Sequence, residues 1–235
     1  MAQETKALDE TRAPDETKAR DEEKALFVGS DLACRRGERL IFTGLDFALP
    51  SHGVLLLRGP NGSGKSSLLR LMAGLSRPEA GIIGWNGNSI FADAIAHRAR
   101  LHFIGHADAI KPTLNVAETL AFWADMRGAG TAVPAALAHF HLARLAPLPC
   151  RFLSAGERKR LALARLIASP ATLWLLDEPT TSLDAAGTED LLRAIAMHRA
   201  AGGRAVIASH GPLALENAMT LALDDYTPRA RAIAA

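Results

Sequence analysis

The residues best suited to chemistry start at Gly59, where Gly59, Pro60, Asn61, Gly62, Ser63, Gly64, Lys65 and Ser66 follow the spacing G-x-x-x-x-G-K-[ST]. By average composition the fixed positions would meet by accident in on the order of one chain in a hundred of this size. Here they also follow an apolar run, Val54 to Leu57, and precede a helix-like stretch, which is the context the motif requires. Glycines let backbone N–H groups turn inward with no side chain in the way, and the start of the next helix adds further donors. Such a loop holds polyphosphate. Lys65 brings positive charge to the β- and γ-phosphates of a nucleoside triphosphate, and Ser66 sets a hydroxyl where a bridging Mg2+ needs a hard oxygen. Ser67 extends this polar start of the helix.

A second constellation closes the apolar run Thr172 to Glu178, TLWLLDE, which ends in adjacent carboxylates. Side chains alternate along a strand, so Asp177 is expected to reach the magnesium shell while Glu178 faces the water that attacks the γ-phosphate. Glu178 is the candidate general base. His210 ends another apolar run, AVIAS.

These residues need a sheet to position them, and the chain supplies its pattern. From Leu26 onward short apolar runs alternate with amphipathic stretches, the signature of an α/β domain. Val54 to Leu57, Thr172 to Glu178, Ala205 to Ala208 and Leu221 to Leu223 read as strands, and Lys65 to Ala73 and Ala185 to Arg199 as helices. Residues 91–170 are mostly helical in pattern, with helices expected near Val116 to Met126, Pro134 to His141 and Glu157 to Ala168. They read as a helical subdomain inserted into the sheet of a domain spanning 26–235. Residues 2–25 carry four copies of a six-residue unit (AQETKA, LDETRA, PDETKA, RDEEKA), and residues 1–25 hold eight acids against five bases with little that is apolar. Such a segment cannot bury enough surface to offset ordering entropy, so a disordered or fraying tail is expected.

Composition excludes several classes. The 235 residues carry a net charge of +2, with 49% hydrophobic and 22% charged residues, so nucleic-acid binding is not expected. Apolar runs such as Leu173 to Leu176 fall far short of the ~18 residues that span a bilayer. The charged first residues lack the apolar centre of a secretory signal, which points to the cytoplasm. Cys34 and Cys150 have no ligand-like spacing and read as reduced structural thiols. His52, His97, His102, His139, His141 and His198 are left as core or surface residues.

A phosphate loop alone does not choose among kinases, GTPases and motor ATPases. Leu153, Ser154, Ala155, Gly156 and Glu157, just before the helix-like ERKRLALARLIA, resemble the LSGGQ signature of the ABC family. The resemblance implies the P-loop NTPase fold of an ABC ATPase, with a RecA-like core sheet and an inserted helical subdomain. It also implies ATP with Mg2+, hydrolysis coupled to transport, and a head-to-tail homodimer in which Ser154, Ala155 and Gly156 of one subunit meet the γ-phosphate held by the other. Ala155 and Glu157 depart from the consensus, and an acid near phosphate must point away or pair with Arg158 or Lys159. Ser182, Leu183 and Asp184 resemble the D-loop that couples the two sites, and His210 matches the switch histidine. FIGHADAIKPTLNV aligns with the Q-loop, placing His106 where an amide normally contacts metal and water; an imidazole is a poorer magnesium ligand. The usual adenine-stacking aromatic is absent, and Arg36 is the substitute expected, through its flat guanidinium.

GLSRPEAGIIGWNG, FIGHADAIKPTLNVAETLAFW, RFLSAGERKRLALARL and LWLLDEPTTSLD look like the ATP-binding subunits of cytochrome c maturation, or haem export, systems. That resemblance implies a peripheral protein on the cytoplasmic face of the inner membrane, held there by integral membrane subunits and driving haem export or release of a haem-loaded chaperone. No residue reads as binding haem directly. An ABC subunit for a lipid or another solute is the alternative, with a soluble ABC protein and a non-catalytic binding module further removed.

Overall fold

A computed structural model describes residues 26–228. The repeat-bearing segment 1–25, and with it the expected tail, lies outside the described residues.

In chain order, the elements begin with the long strands β1 (Leu26–Arg36) and β2 (Arg39–Pro50), followed by β3 (Val54–Arg58), helix α1 (Lys65–Met72), β4 (Ala80–Trp85) and the short β5 (Asn88–Ser89). Next come α2 (Ala94–Ala99), β6 (Leu101–Ile104), α3 (Val116–Asp125), α4 (Val133–His139), α5 (Ala155–Ala168) and β7 (Leu173–Asp177). Helix α6 (Ala185–Ala200), β8 (Arg204–Ala208) and β9 (Met219–Ala222) complete the core.

The apolar runs assemble into a parallel sheet in the order β6-β7-β8-β3-β9. Such runs are apolar throughout because both faces of the sheet are covered. Leu55, Leu57, Leu173, Leu175, Val206 and Ala208 pack with Leu68 and Met72 of α1 and with Phe42 and Leu45 of β2. The alternate residues Val54, Leu56, Trp174, Leu176, Ala205 and Ile207 pack with Leu161 and Leu163 of α5 and Leu191 and Ile195 of α6. Each fully buried leucine of this kind contributes roughly 1.5–3 kcal/mol before entropy is counted. Helices α3 and α4 pack on α5, so the helical layer is anchored through one long amphipathic element.

The structure departs from the sequence pattern in three places. An antiparallel sheet, β2-β1-β4-β5, lies beside the parallel one, and its first strands were not read as such. Register shifts near Gly29, Leu32 and Cys34 break the period-two alternation that reveals a half-buried strand. Within residues 91–170, β6 is a strand rather than helix: LHFI pairs in parallel with β7, Leu101 opposite Leu173 and Ile104 opposite Leu176. A run this short carries no usable period. Finally, the strand expected at Leu221–Leu223 lies at Met219–Ala222, with Leu223 opening a 3-10 turn to Tyr226.

Candidate functional site

The loop from Gly59 to Gly64 joins β3 to α1, so the last residue of a buried strand and the first turn of a helix fix its two ends. Gly59, Gly62 and Gly64 have φ of 140°, 82° and 105°, a region that residues with a Cβ rarely adopt. At Gly64 sterics agree, since a Cβ there would lie 2.6 Å from Ile41 Cγ2. Gly64 occupies the N-cap of α1 without any side-chain cap, which leaves the first N–H groups of that helix to be satisfied from outside. The Lys65 ammonium is buried and donates to the carbonyls of Gly59 (2.6 Å) and Pro60 (3.0 Å). Those bonds tie the lysine back over its own loop and leave one of its ~three donors uncommitted.

Asp177 ends β7, buried at 7% exposure, while Glu178 has left the strand with φ of 48°. Strand alternation therefore does not separate these carboxylates. A left-handed residue re-aims the second, and both line one cavity of about 460 Å³. That cavity gathers Arg36, Asn61, Gly62, Gly64, Lys65, Ser66, Ser67, His106, Asp177, Glu178 and His210, together with Ile41 and Thr181. The backbone N–H of His210 donates to Glu178 Oε2 (3.3 Å), and His210 Nε2 lies 3.1 Å from Oε1. The second approach is close but not aligned as a hydrogen bond, since Oε1 is buried with no hydrogen-bond partner. Arg58, at the end of β3, donates to the carbonyls of Ser209 (3.5 Å) and Gly211 (2.5 Å). It thus braces the turn that carries His210, a role the sequence reading missed because no motif marks it.

The remaining candidates lie elsewhere in the same chain. Gly59 does not line the cavity, and Pro60 and Ser63 face a smaller one with Asp224 and Thr227. Ser154, Ala155, Gly156 and Asp184 also do not line it. Ser154 is the N-cap of α5: its side chain accepts from the N–H of Glu157 (3.2 Å), and Glu157 Oε2 accepts from the N–H of Ser154 (2.7 Å). Glu157 thus turns its carboxylate onto its own helix start rather than pairing with Arg158 or Lys159, the partners expected from its charge. It closes a capping box, a signal legible in Ser-x-x-Glu. The Ser154 N–H holds the Glu157 carboxyl below the usual carboxylate range, so the acid stays ionised with its charge directed at its own helix start. Arg158 instead donates to the Leu153 carbonyl (2.7 Å), and Lys159 is buried 3.9 Å from Asp108. Burial lowers the Lys159 pKa, with Asp108, Asp177 and Glu178 opposing it. Lys159 and Asp108 thus link α5 to the segment after His106, a tie that sequence spacing could not show. Asp184 caps α6 by accepting from the Gly187 N–H (2.8 Å) and lies 3.8 Å from Arg160 of α5.

The histidines set aside earlier hold the fold together. His97 and His102 are buried with Nε2 against the carbonyls of Met72 and Ser169, and His198 stacks flat on Trp174 with ring centroids 3.8 Å apart. His139 bonds the Asp190 carbonyl, His141 Nε2 approaches the Asp190 carboxylate at 3.5 Å, and His52 meets the Arg199 carbonyl. Cys34 and Cys150 are free and buried. Among the described residues no helix is long and apolar enough to cross a membrane.

The ABC transporter family model matches residues 42–181. In architecture the chain is similar to a putative ABC transporter ATP-binding protein from Pyrococcus furiosus, with a TM-score of 0.76 at 21% identity over 86% of this chain and all of that one. Fold and family model together define an ABC-type ATP-binding protein. The chain is 57% identical to the cytochrome c biogenesis ATP-binding export protein CcmA of Rhodospirillum rubrum, covering 87% of this chain and 88% of that protein. It is 52% identical to the protein of the same description from Paramagnetospirillum magneticum, covering 85% and 94%. The chain belongs to the CcmA family of ABC ATP-binding proteins, and it is an ATPase subunit coupled to transport.

Proposed function

We propose that this chain forms a homodimer on the cytoplasmic face of the inner membrane, bound to integral membrane subunits, and hydrolyses ATP to drive haem export or haem-chaperone release in cytochrome c biogenesis. The family relatives named for cytochrome c biogenesis support the process. One observation carries the dimer: the cavity holds the phosphate loop, Asp177, Glu178 and His210, whereas the exposed, self-capped start of α5 at Ser154 lies outside it. A second copy would bring its Ser154, Ala155 and Gly156 to the γ-phosphate, with Asp184 beside that junction.

Within one cavity, the loop amides and Lys65 would hold the phosphates, and Glu178 would take the proton from the attacking water as general base. The His210 N–H on Glu178 Oε2 orients that carboxylate, and the His210 ring, on the same wall, would contact the γ-phosphate. Ser66 and Asp177 offer the hard oxygens that suit magnesium and share the cavity wall. Bound there, the ion would neutralise charge on the β- and γ-phosphates. His106 reaches the same wall and would serve mainly to sense the membrane partner.

The shared site is tested by mixing two defective proteins. Ser154→Arg and Lys65→Ala subunits are each expected to be inactive alone, and their mixture to regain ATPase activity through one intact composite site. A mixture no more active than its components would overturn the dimer.

A further inference from the structure

Phosphate chemistry accounts for only part of the nucleotide cavity. Glu178, with Asp177, Thr181, His210 and His106, marks the γ-phosphate end, and the loop and first turn of α1 (Asn61 to Ser67) hold the middle; of the lining residues Arg36 and Ile41 alone stand on the β1–β2 hairpin, and they offer the base a wall. That wall is the end of the β1–β2 hairpin, where Arg36 pairs with Arg39, and Ile41 rests on the loop at Gly64. Arg36 also lines an adjoining cavity of about 490 Å³ with Cys34, Arg35, Ser66, Ser67, Arg70 and Ser76. No phenylalanine, tyrosine or tryptophan lines either cavity, and no carboxylate lines the second. Arg35 is engaged by Glu79 and by the Glu38 carbonyl. Arg36 is exposed, and among the described residues its side chain has no hydrogen bond or ion pair.

An aromatic wall would stack on the face of any base without reading its edge. A guanidinium offers only donors, set in a fixed fork. Guanine presents two acceptors on one edge, N7 and O6, which accept that fork together, whereas adenine presents N7 beside the N6 amine, itself a donor. The positive field of Arg35, Arg36 and Arg70 adds to the mismatch with that amine. We propose that Arg36 reads the N7/O6 edge of the base and that the site therefore takes GTP as a second substrate, bound at least as well as ATP. The proposal rests on the nucleotide site described above.

The test titrates Mg-ATP and Mg-GTP into the full-length Glu178→Gln protein, which cannot hydrolyse them efficiently, and into the same protein carrying Arg36→Tyr or Arg36→Lys. The Arg36 protein is expected to bind GTP at least as tightly as ATP. Arg36→Tyr is expected to move the ratio about tenfold toward ATP, the scale of a lost bidentate pair. Arg36→Lys, which keeps the charge but not the fork, is expected to move it in the same direction. A preference for ATP above about fivefold with Arg36 present, or an unchanged ratio in Arg36→Tyr with both nucleotides still bound, overturns the proposal alone. Binding of neither nucleotide to the Arg36 protein overturns the phosphate site as well.

Discussion

Two helix starts in this molecule face opposite demands. Helix α1 begins at Gly64, left-handed, with no side-chain cap and with its first turn opening on the nucleotide cavity. Helix α5 begins at Ser154 with both halves of a capping box made and with Ser154 and Ala155 exposed. The first leaves amide donors for a ligand to satisfy, so its conformation and its ligand support one another. The second satisfies its own amides and is presented as a finished surface, which retains the Ser154 hydroxyl hydrogen as a donor.

The comparison can be broken at α1 with Gly64→Ala. A Cβ at φ 105°, 2.6 Å from Ile41, is expected to lower ATP affinity about a hundredfold, the scale of roughly 3 kcal/mol of backbone strain. Nucleotide titration checks it, and unchanged affinity would show that the loop tolerates a side chain there.

It is sharpened at the far end of α5. His102 Nε2 bonds the carbonyl of Ser169, the residue that ends the helix, and burial pushes the His102 pKa down to about 3. A base whose folded pKa lies below its unfolded value binds its proton first in the unfolded chain, so the histidine disfavours folding as pH falls below about 6.5. Between pH 6.5 and 5 the loss from this group is about 1.6 kcal/mol. In denaturant unfolding at the two pH values, His102→Gln is expected to flatten the pH dependence by that amount; an unaltered slope would remove His102 from the account.

The smallest effect is at the cap itself. Glu157→Ala is expected to cost about 0.5–1 kcal/mol of stability, whereas Glu157→Gln keeps the reach back to the Ser154 N–H and stays within about 0.5 kcal/mol. Equal losses in thermal or denaturant unfolding would mean that charge, not the cap, is what Glu157 supplies.

What was legible in the sequence was what local geometry requires. The phosphate loop with its flanking strand and helix, and helices α1, α3, α5 and α6, follow from glycine spacing, apolar runs and helical period. What was missed depends on partners distant in the chain. Bulges at Gly29, Leu32 and Cys34 hid β1, and β6 was too short to distinguish from helix until paired with β7. Alternation predicted opposite directions for the Asp177 and Glu178 side chains, yet a left-handed turn brings both to one wall. Arg58, Lys159 and Asp108 act through carbonyls or charges tens of residues away, and no pattern announces that. Glu157 was different: its capping box lay within four residues and could have been read.

Gly156 carries a further consequence. A methyl group there would sit 3.0 Å from the carbonyl oxygen of Ser182, so the first turn of α5 rests directly on the bend that follows Glu178. The absence of a side chain at Gly156 is what lets the two approach so closely. In the proposed paired assembly, a movement of that bend on cleavage would press on the helix start presented to the neighbouring nucleotide.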